Sequence, residues 1–170
     1  AGTAVLPPPA RPIPRVVGGR SAAAVHRAGR LADGWLGIWV SPERFAGAVA
    51  DVANVAQEAG RPEIDWQHGM TVWCGFGQDR ADGEEVVSRA MEGLYGVPFA
   101  KFDRYVPRGT PADVDDALRP YVDAGCRTFN LLAQCADRGE IAGAVGEVRR
   151  LLNADQARPA EQEHQAEEPE

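Results

Sequence analysis

Short apolar runs alternate with helical patterns along most of this chain, and that alternation restricts its fold more than any other feature. The runs stand at Arg15–Val17, Trp35–Val40, Met70–Phe76 and Arg127–Leu132. Between and after them, apolar residues recur at helical spacing. The stripes are Val25, Ala28, Leu31 and Ala32, then Phe45, Val49, Val52 and Ala56, then Val87, Met91 and Leu94. Val114, Leu118 and Tyr121 form a fourth stripe, and Ile141, Val145, Val148 and Leu152 a fifth. Ser41-Pro42-Glu43 and Thr110-Pro111-Ala112-Asp113 are strong helix starts, each with a capping hydroxyl, a proline at the first position and an early carboxylate. The polar stretch Gln78–Asp82 reads as a loop before a helix over Glu84–Tyr95, and residues 96–109 as an irregular excursion.

The resulting order, β-α-β-α-β-α-α-β-α, predicts a parallel sheet with right-handed crossovers. Three α/β architectures satisfy it: a doubly wound sheet, a whole small α/β domain, or part of a (β/α)8 barrel. A full barrel needs about 250 residues, so four such units are about half of one.

One turn in this pattern carries chemistry. The β-branched run ends in Val16-Val17-Gly18-Gly19-Arg20-Ser21, and a helix follows at once, roughly Ala22–Ala32. A strand, a glycine turn and a helix N-terminus together form an anion site. Free N–H groups point outward, the helix dipole favours negative charge, and glycine lets a phosphate approach the backbone. The same residues also suit a tight βα turn that needs glycine for geometry alone, so both readings stand at this point.

Composition narrows the partners. A net charge of −7 with a single lysine, Lys101, and scattered arginines argues against nucleic acid, which is bound by clustered Lys and Arg. No run approaches the roughly 18 to 20 apolar residues that span a bilayer. The N-terminal residues lack the basic start and long apolar core of a signal peptide. Cys74, Cys126 and Cys135 are odd in number and form no CxxC pair, which fits a reduced cytoplasm. The prolines of residues 1–14 read as an extended linker, and the acidic residues of 153–170 as a disordered tail.

Other candidates sit at the expected C-terminal strand ends, where parallel barrels place function. Trp39 is a candidate cavity wall, Cys74 a pocket thiol, and Asn130 and Gln134 pocket amides. Each has a plainer reading as packing or surface. Asp79, Arg80 and Asp82 read as solvated loop or substrate contacts. His26, His68 and His164 are separated and lack acids at ligand spacing, so no metal site is expected. Walker, Gly-x-Gly-x-x-Gly and Gly-x-Ser-x-Gly patterns are absent.

The ordered stretches Ile13–Ser21, Arg27–Trp35 and Ser41–Phe45 resemble the bacterial-luciferase-like flavin-dependent monooxygenase family. Val97–Phe99, Gly109–Val114 and Tyr121–Leu131 resemble the last strand of that family and its flanks. The resemblance spans about residues 12 to 152. It implies a TIM-type (β/α)8 barrel that uses FMN or a 5-deazaflavin coenzyme of the F-420 type. Because it begins at the family's fifth strand, it implies that residues 15–152 are the C-terminal four βα units, a half barrel.

Carried over residue by residue, Gly18, Gly19, Arg20 and Ser21 match the turn that holds the coenzyme phosphate. The N–H groups of Gly19, Arg20 and Ser21 would donate, the Ser21 hydroxyl would add a bond, and Arg20 would add charge or face solvent. The catalytic residues would lie in the N-terminal half. The resemblance thus implies an oxidoreductase part with a small organic substrate, completed by an N-terminal half barrel or by self-association. The alternative is a non-catalytic flavin-binding or assembly module.

Overall fold

The four strands and five helices read from the sequence form one parallel sheet with helices packed on it in the computed structural model, which describes residues 9–156. The elements are β1 (Val16–Gly18), α1 (Ala22–Leu31), β2 (Gly34–Ile38), α2 (Pro42–Glu58), β3 (Gly69–Phe76), α3 (Arg80–Tyr95), β4 (Arg108–Gly109), α4 (Pro111–Asp123), β5 (Thr128–Gln134) and α5 (Ile141–Gln156). Residues 9–14 of the expected linker carry neither helix nor strand. Residues 1–8 of that linker and 157–170 of the expected tail lie outside the described residues. The last helix continues to Gln156, beyond the Leu152 end read from the sequence.

The caps act as their chemistry dictates. Ser21 Oγ accepts from the Ala24 N–H, and Ser41 Oγ from the Arg44 N–H. Thr110 and Asp113 close a reciprocal capping box on α4, satisfying two donors that a helix start otherwise leaves free. Asp79 caps α3 by accepting from Ala81 and Asp82, so this helix starts one turn before the expected Glu84.

All pairings are parallel. β1 pairs β2 with Val17 opposite Trp35, and β2 pairs β3 with Gly37 opposite Met70. β3 pairs β5 along its length, with Thr71 opposite Asn130 and Cys74 opposite Ala133. Within the expected excursion, Arg108 and Gly109 add a short strand to the C-terminal end of β3, opposite Gly75 and Phe76. Among the described residues β1 pairs only β2, and β5 only β3, so both are edges. This is an α/β fold with a parallel sheet.

The period of two sorts β3 between two cores. Met70, Val72, Cys74 and Phe76 join Phe45 and Val52 of α2, Val114 and Leu118 of α4, and Val148 of α5. Trp73 instead packs with Val87 and Met91 of α3 and with Phe99 and Val106. Helix α3 therefore lies across the C-terminal halves of β3 and β5 on the face opposite α4, not alongside the other helices. Gly75 and Gly83 permit this, because a Cβ on Gly83 would stand 2.6 Å from both the Gly75 carbonyl oxygen and the Gly109 nitrogen. The N-terminal half of that face carries Leu36, Thr71 and the exposed Asn130, with Val16 46% exposed on β1.

Candidate functional site

The C-terminal strand ends gather the Gly18–Ser21 turn, the peptide joint after β2, and an aromatic group from α3 and the excursion. In the turn, Gly19 has φ +123°, in the region that favours glycine. Its carbonyl accepts the Trp35 indole N–H at 2.7 Å, and its N–H donates to the Leu36 carbonyl at 3.4 Å. The Gly19 donor expected to face a phosphate is thus turned into the sheet. The donors left are one step further along, at Arg20, Ser21, Ala22 and Ala23, since Ser21 Oγ occupies the Ala24 N–H. Ser21 keeps its own O–H as a donor, and no acid stands in the first turn of α1 to repel an anion.

Arg20 does not point only to solvent. Its guanidinium donates to the Trp39 carbonyl at 3.3 Å, linking the turn to the next strand end. Trp39 has φ +54° and is the one non-glycine residue at positive φ among the described residues. The adjacent Val40 carbonyl accepts the Tyr121 hydroxyl at 2.7 Å. Burial of that hydroxyl pushes its pKa up to about 12, so it stays a donor. The Trp39 ring lies 4.8 Å from Phe102, 6.1 Å from Tyr95 and 6.3 Å from Tyr105.

The other sequence candidates fall elsewhere. Cys74 is fully buried on the α4 side of the sheet, and burial pushes its thiol up to about 12. It packs as a small apolar residue and does not face the strand-end site. Asn130 stands mid-strand on the open face beside Thr71, short of the strand ends. Gln134 is half-buried opposite Gly75. Asp79 and Asp82 serve the start of α3. His26 is exposed, and His164 lies outside the described residues. His68 is buried at the other end of β3, where its Nδ1 accepts the Trp35 N–H at 3.1 Å. Among the described residues, no group of three His, Cys, Asp or Glu residues is placed to hold a metal.

Sequence reasoning missed Tyr95, Phe102, Tyr105 and Arg108. Phe102 and Tyr105 had a signal, in the aromatic spacing of Phe99, Phe102 and Tyr105 within a stretch read as loop, whereas Tyr95 closed the expected helix. Arg108 had none. It is buried on β4, where it pairs with Asp103 and, at 2.8 Å, with Glu84 of α3. It also donates to the Asp103 and Val106 carbonyls, both at 3.1 Å, which fastens the excursion beneath α3.

Residues 1–120 match the family model described as luciferase-like monooxygenase. The chain belongs to the luciferase-like monooxygenase family. An uncharacterised protein of Mycobacterium tuberculosis is 41% identical over 59 residues, covering 35% of this chain and 20% of that protein. Among solved structures, an F-420-dependent secondary alcohol dehydrogenase in complex with an F-420–acetone adduct superposes with a TM-score of 0.72 at 16% identity, covering 85% of this chain and 50% of that one. EDTA monooxygenase from Chelativorans superposes with a TM-score of 0.63 at 17% identity, covering 86% and 46%. This luciferase-like chain therefore spans about half the length of those structures. At these identities the likeness shows the fold alone. The described residues contain no helix long and apolar enough to cross a membrane.

Proposed function

We propose that this chain is the C-terminal, coenzyme-phosphate-binding part of a flavin- or deazaflavin-dependent oxidoreductase, with residues 15–152 as four βα units of a TIM-type barrel. The observation that carries this reading is the turn Gly18–Ser21. It leads into the outward N–H groups of Arg20, Ser21, Ala22 and Ala23, with no acid in the first turn of α1, at a C-terminal strand end, in a luciferase-like chain. These residues fit a phosphate monoester or diester, and so either FMN or F-420. The bound ring supplies the hydride or oxygen chemistry. The turn contributes binding: charge-assisted hydrogen bonds from Arg20, Ser21 and the first N–H groups of α1. Trp39 stands beside the turn as a pocket wall. The reacting acid and base, and the small organic substrate's own contacts, belong to the N-terminal half of the barrel. The cytoplasm suits the three free thiols.

The test is calorimetric titration of this chain with inorganic phosphate, FMN and F-420, and of a Ser21→Asp variant. Aspartate is as good a helix cap as serine, so α1 stays intact while a carboxylate faces the anion. Loss of one charge-assisted bond alone weakens binding about tenfold or more. Unchanged affinity in Ser21→Asp overturns the phosphate assignment. Phosphate binding without any redox turnover after an N-terminal half barrel is supplied would favour the assembly-module alternative.

Completion of the barrel has its own consequence. β1 and β5 are open edges, and Val16, Leu36 and Ile38 lie on strands that expect cover on both faces. Light scattering is expected to show self-association of the chain alone, replaced by a one-to-one complex when the N-terminal half is added. A clean monomer that binds no apolar dye counts against the half-barrel reading.

A further inference from the structure

We propose that Trp35 is a positioning residue for the Gly18–Ser21 turn: its buried indole N–H holds the Gly19 carbonyl inward and so aims the Arg20 N–H outward at an anion. The inference rests on the phosphate reading of that turn and assigns a role to a side chain that itself touches no ligand.

Trp35 is 1% exposed and turns towards α2, its ring 5.4 Å from that of Phe45. Its backbone is fixed at the start of β2, where the N–H donates to His68 Nδ1 at 3.1 Å. From there the indole runs along β2 over Gly37. A Cβ on Gly37 would stand 3.0 Å from the Trp35 Cη2 and 3.2 Å from its Cζ3, so glycine leaves the ring this course without crowding. The indole Nε1 then reaches the Gly19 carbonyl at 2.7 Å. A buried indole N–H needs an acceptor, and this one finds it in the turn that follows the neighbouring strand.

The consequence for the turn is stereochemical. In a trans peptide the C=O and the N–H point in opposite directions. Drawing the Gly19 oxygen towards the indole therefore sends the Arg20 N–H, on the same peptide plane, away from the sheet, where it is the first of the donors left to a ligand. Gly19 stands at φ +123°, and a glycine rotates its flanking peptides more freely than any other residue. A rotated Gly19–Arg20 peptide would turn a carbonyl oxygen towards the anion and withdraw a donor in the same motion. The peptide before it is held by the Gly19 N–H, which donates to the Leu36 carbonyl at 3.4 Å, and the start of α1 is held by Ser21 Oγ, which accepts from the Ala24 N–H at 3.2 Å. The Trp35 bond fixes the peptide between these two. Packing against Phe45 alone would be met by a phenyl ring, which carries no donor.

The test compares Trp35→Phe, which removes the donor and keeps an aromatic ring, with Phe45→Leu, which loosens the packing beside the indole and keeps the bond. Calorimetric titration with inorganic phosphate is expected to show about tenfold weaker binding in Trp35→Phe, and an affinity within about twofold of the parent in Phe45→Leu. The Gly19 carbonyl carbon, followed by NMR without phosphate, should shift in Trp35→Phe and stay in place in Phe45→Leu. If Trp35→Phe does not fold, benzothienylalanine at position 35 replaces it, since sulfur there takes the place of the N–H in a ring of the same shape. Unchanged phosphate affinity on loss of the donor, or an equal loss in Phe45→Leu, overturns the proposal. Failure of the phosphate reading is seen separately, as a parent that binds no phosphate. The Gly19 carbonyl signal then decides the role of Trp35: a shift confined to Trp35→Phe keeps it as the residue that sets this peptide, and an unmoved signal overturns it.

Discussion

Gly75→Ala and Gly83→Ala are each expected to lower folding stability by about 3 kcal/mol, the upper part of the range for overpacking a tight interior. The two glycines face each other where α3 crosses β3. A Cβ on Gly75 would overlap the Gly83 carbonyl oxygen, and a Cβ on Gly83 would lie 2.6 Å from the Gly75 oxygen and the Gly109 nitrogen. Those neighbours are backbone, so no rotamer change relieves the clash, and α3 or the sheet must move. Gly93 is the internal control. It lies in the same helix with nothing within 4 Å of its added Cβ. Gly93→Ala should be neutral or gain up to about 1 kcal/mol through helix propensity. Urea unfolding of the three variants measures the contrast. Equal midpoints for Gly75→Ala and Gly93→Ala would show that α3 does not seat on β3 as described.

That same contact marks the boundary of what the sequence reveals here. Four of the strands and all five helices were legible, because hydrophobic period and capping chemistry are local signals. Ser41-Pro42-Glu43 and Thr110-Pro111-Ala112-Asp113 became helix starts with the expected cap bonds. The start of α3 was misread because Asp79 and Asp82 look like solvated loop residues when their neighbours are polar, and only the bonds to Ala81, Asp82 and Gln78 reveal them as caps. The face that α3 covers is not a local property. Nothing in the period of Val87 and Met91 says which side of a sheet they meet, and the signal lies in two glycines eight positions apart that become neighbours only on folding. β4 escaped for a related reason. Arginine normally marks exposed chain, and Arg108 is buried only because Glu84 and Asp103 converge on it.

The site divides in the same way. Gly19 and Ser21 were legible in the anion turn because a positive φ and a helix cap demand those residue types. The shift of the donors by one residue was not, since it depends on the Leu36 carbonyl of the neighbouring strand taking the Gly19 N–H. Trp39 was placed at the strand end, but its left-handed turn and its change of side were hidden, because alternation assigns it to the face of Trp35. Cys74 shows the reverse error. Its position near a strand end suggested a pocket, while its phase on β3 sends it into the α4 core.

Acid is expected to remove about 3 kcal/mol of stability between pH 6.5 and pH 4 through His68 alone. The imidazole is 2% exposed and stacks on Trp66 at 5.1 Å with its plane 11° away. Its Nδ1 accepts the Trp35 N–H, so the folded ring is neutral, with its proton on the buried Nε2, which has no partner among the described residues. Burial lowers the pKa from 6.5 to about 4. The sign follows from linkage: between those values the unfolded chain binds the proton and the folded chain does not, so stability falls as pH falls. Above pH 6.5 the contribution is complete and constant, and below about pH 4 it is spent. Within the window the slope approaches about 1.4 kcal/mol per pH unit. His68→Asn separates this effect from the carboxylates, because the Asn Oδ1 can take the place of Nδ1 towards Trp35 without titrating. The variant should lose some packing at pH 7.5, yet change less than the parent when urea midpoints are compared at pH 7.5 and pH 4.5. Identical pH dependence in the two proteins would show that His68 is protonated in the fold without penalty. Because His68 underlies the N-terminal end of β3, the opposite end from Gly19 and Ser21, phosphate affinity at pH 7.5 should be the same in His68→Asn as in the parent. Acid lability and anion binding are then separable properties of the two ends of one sheet.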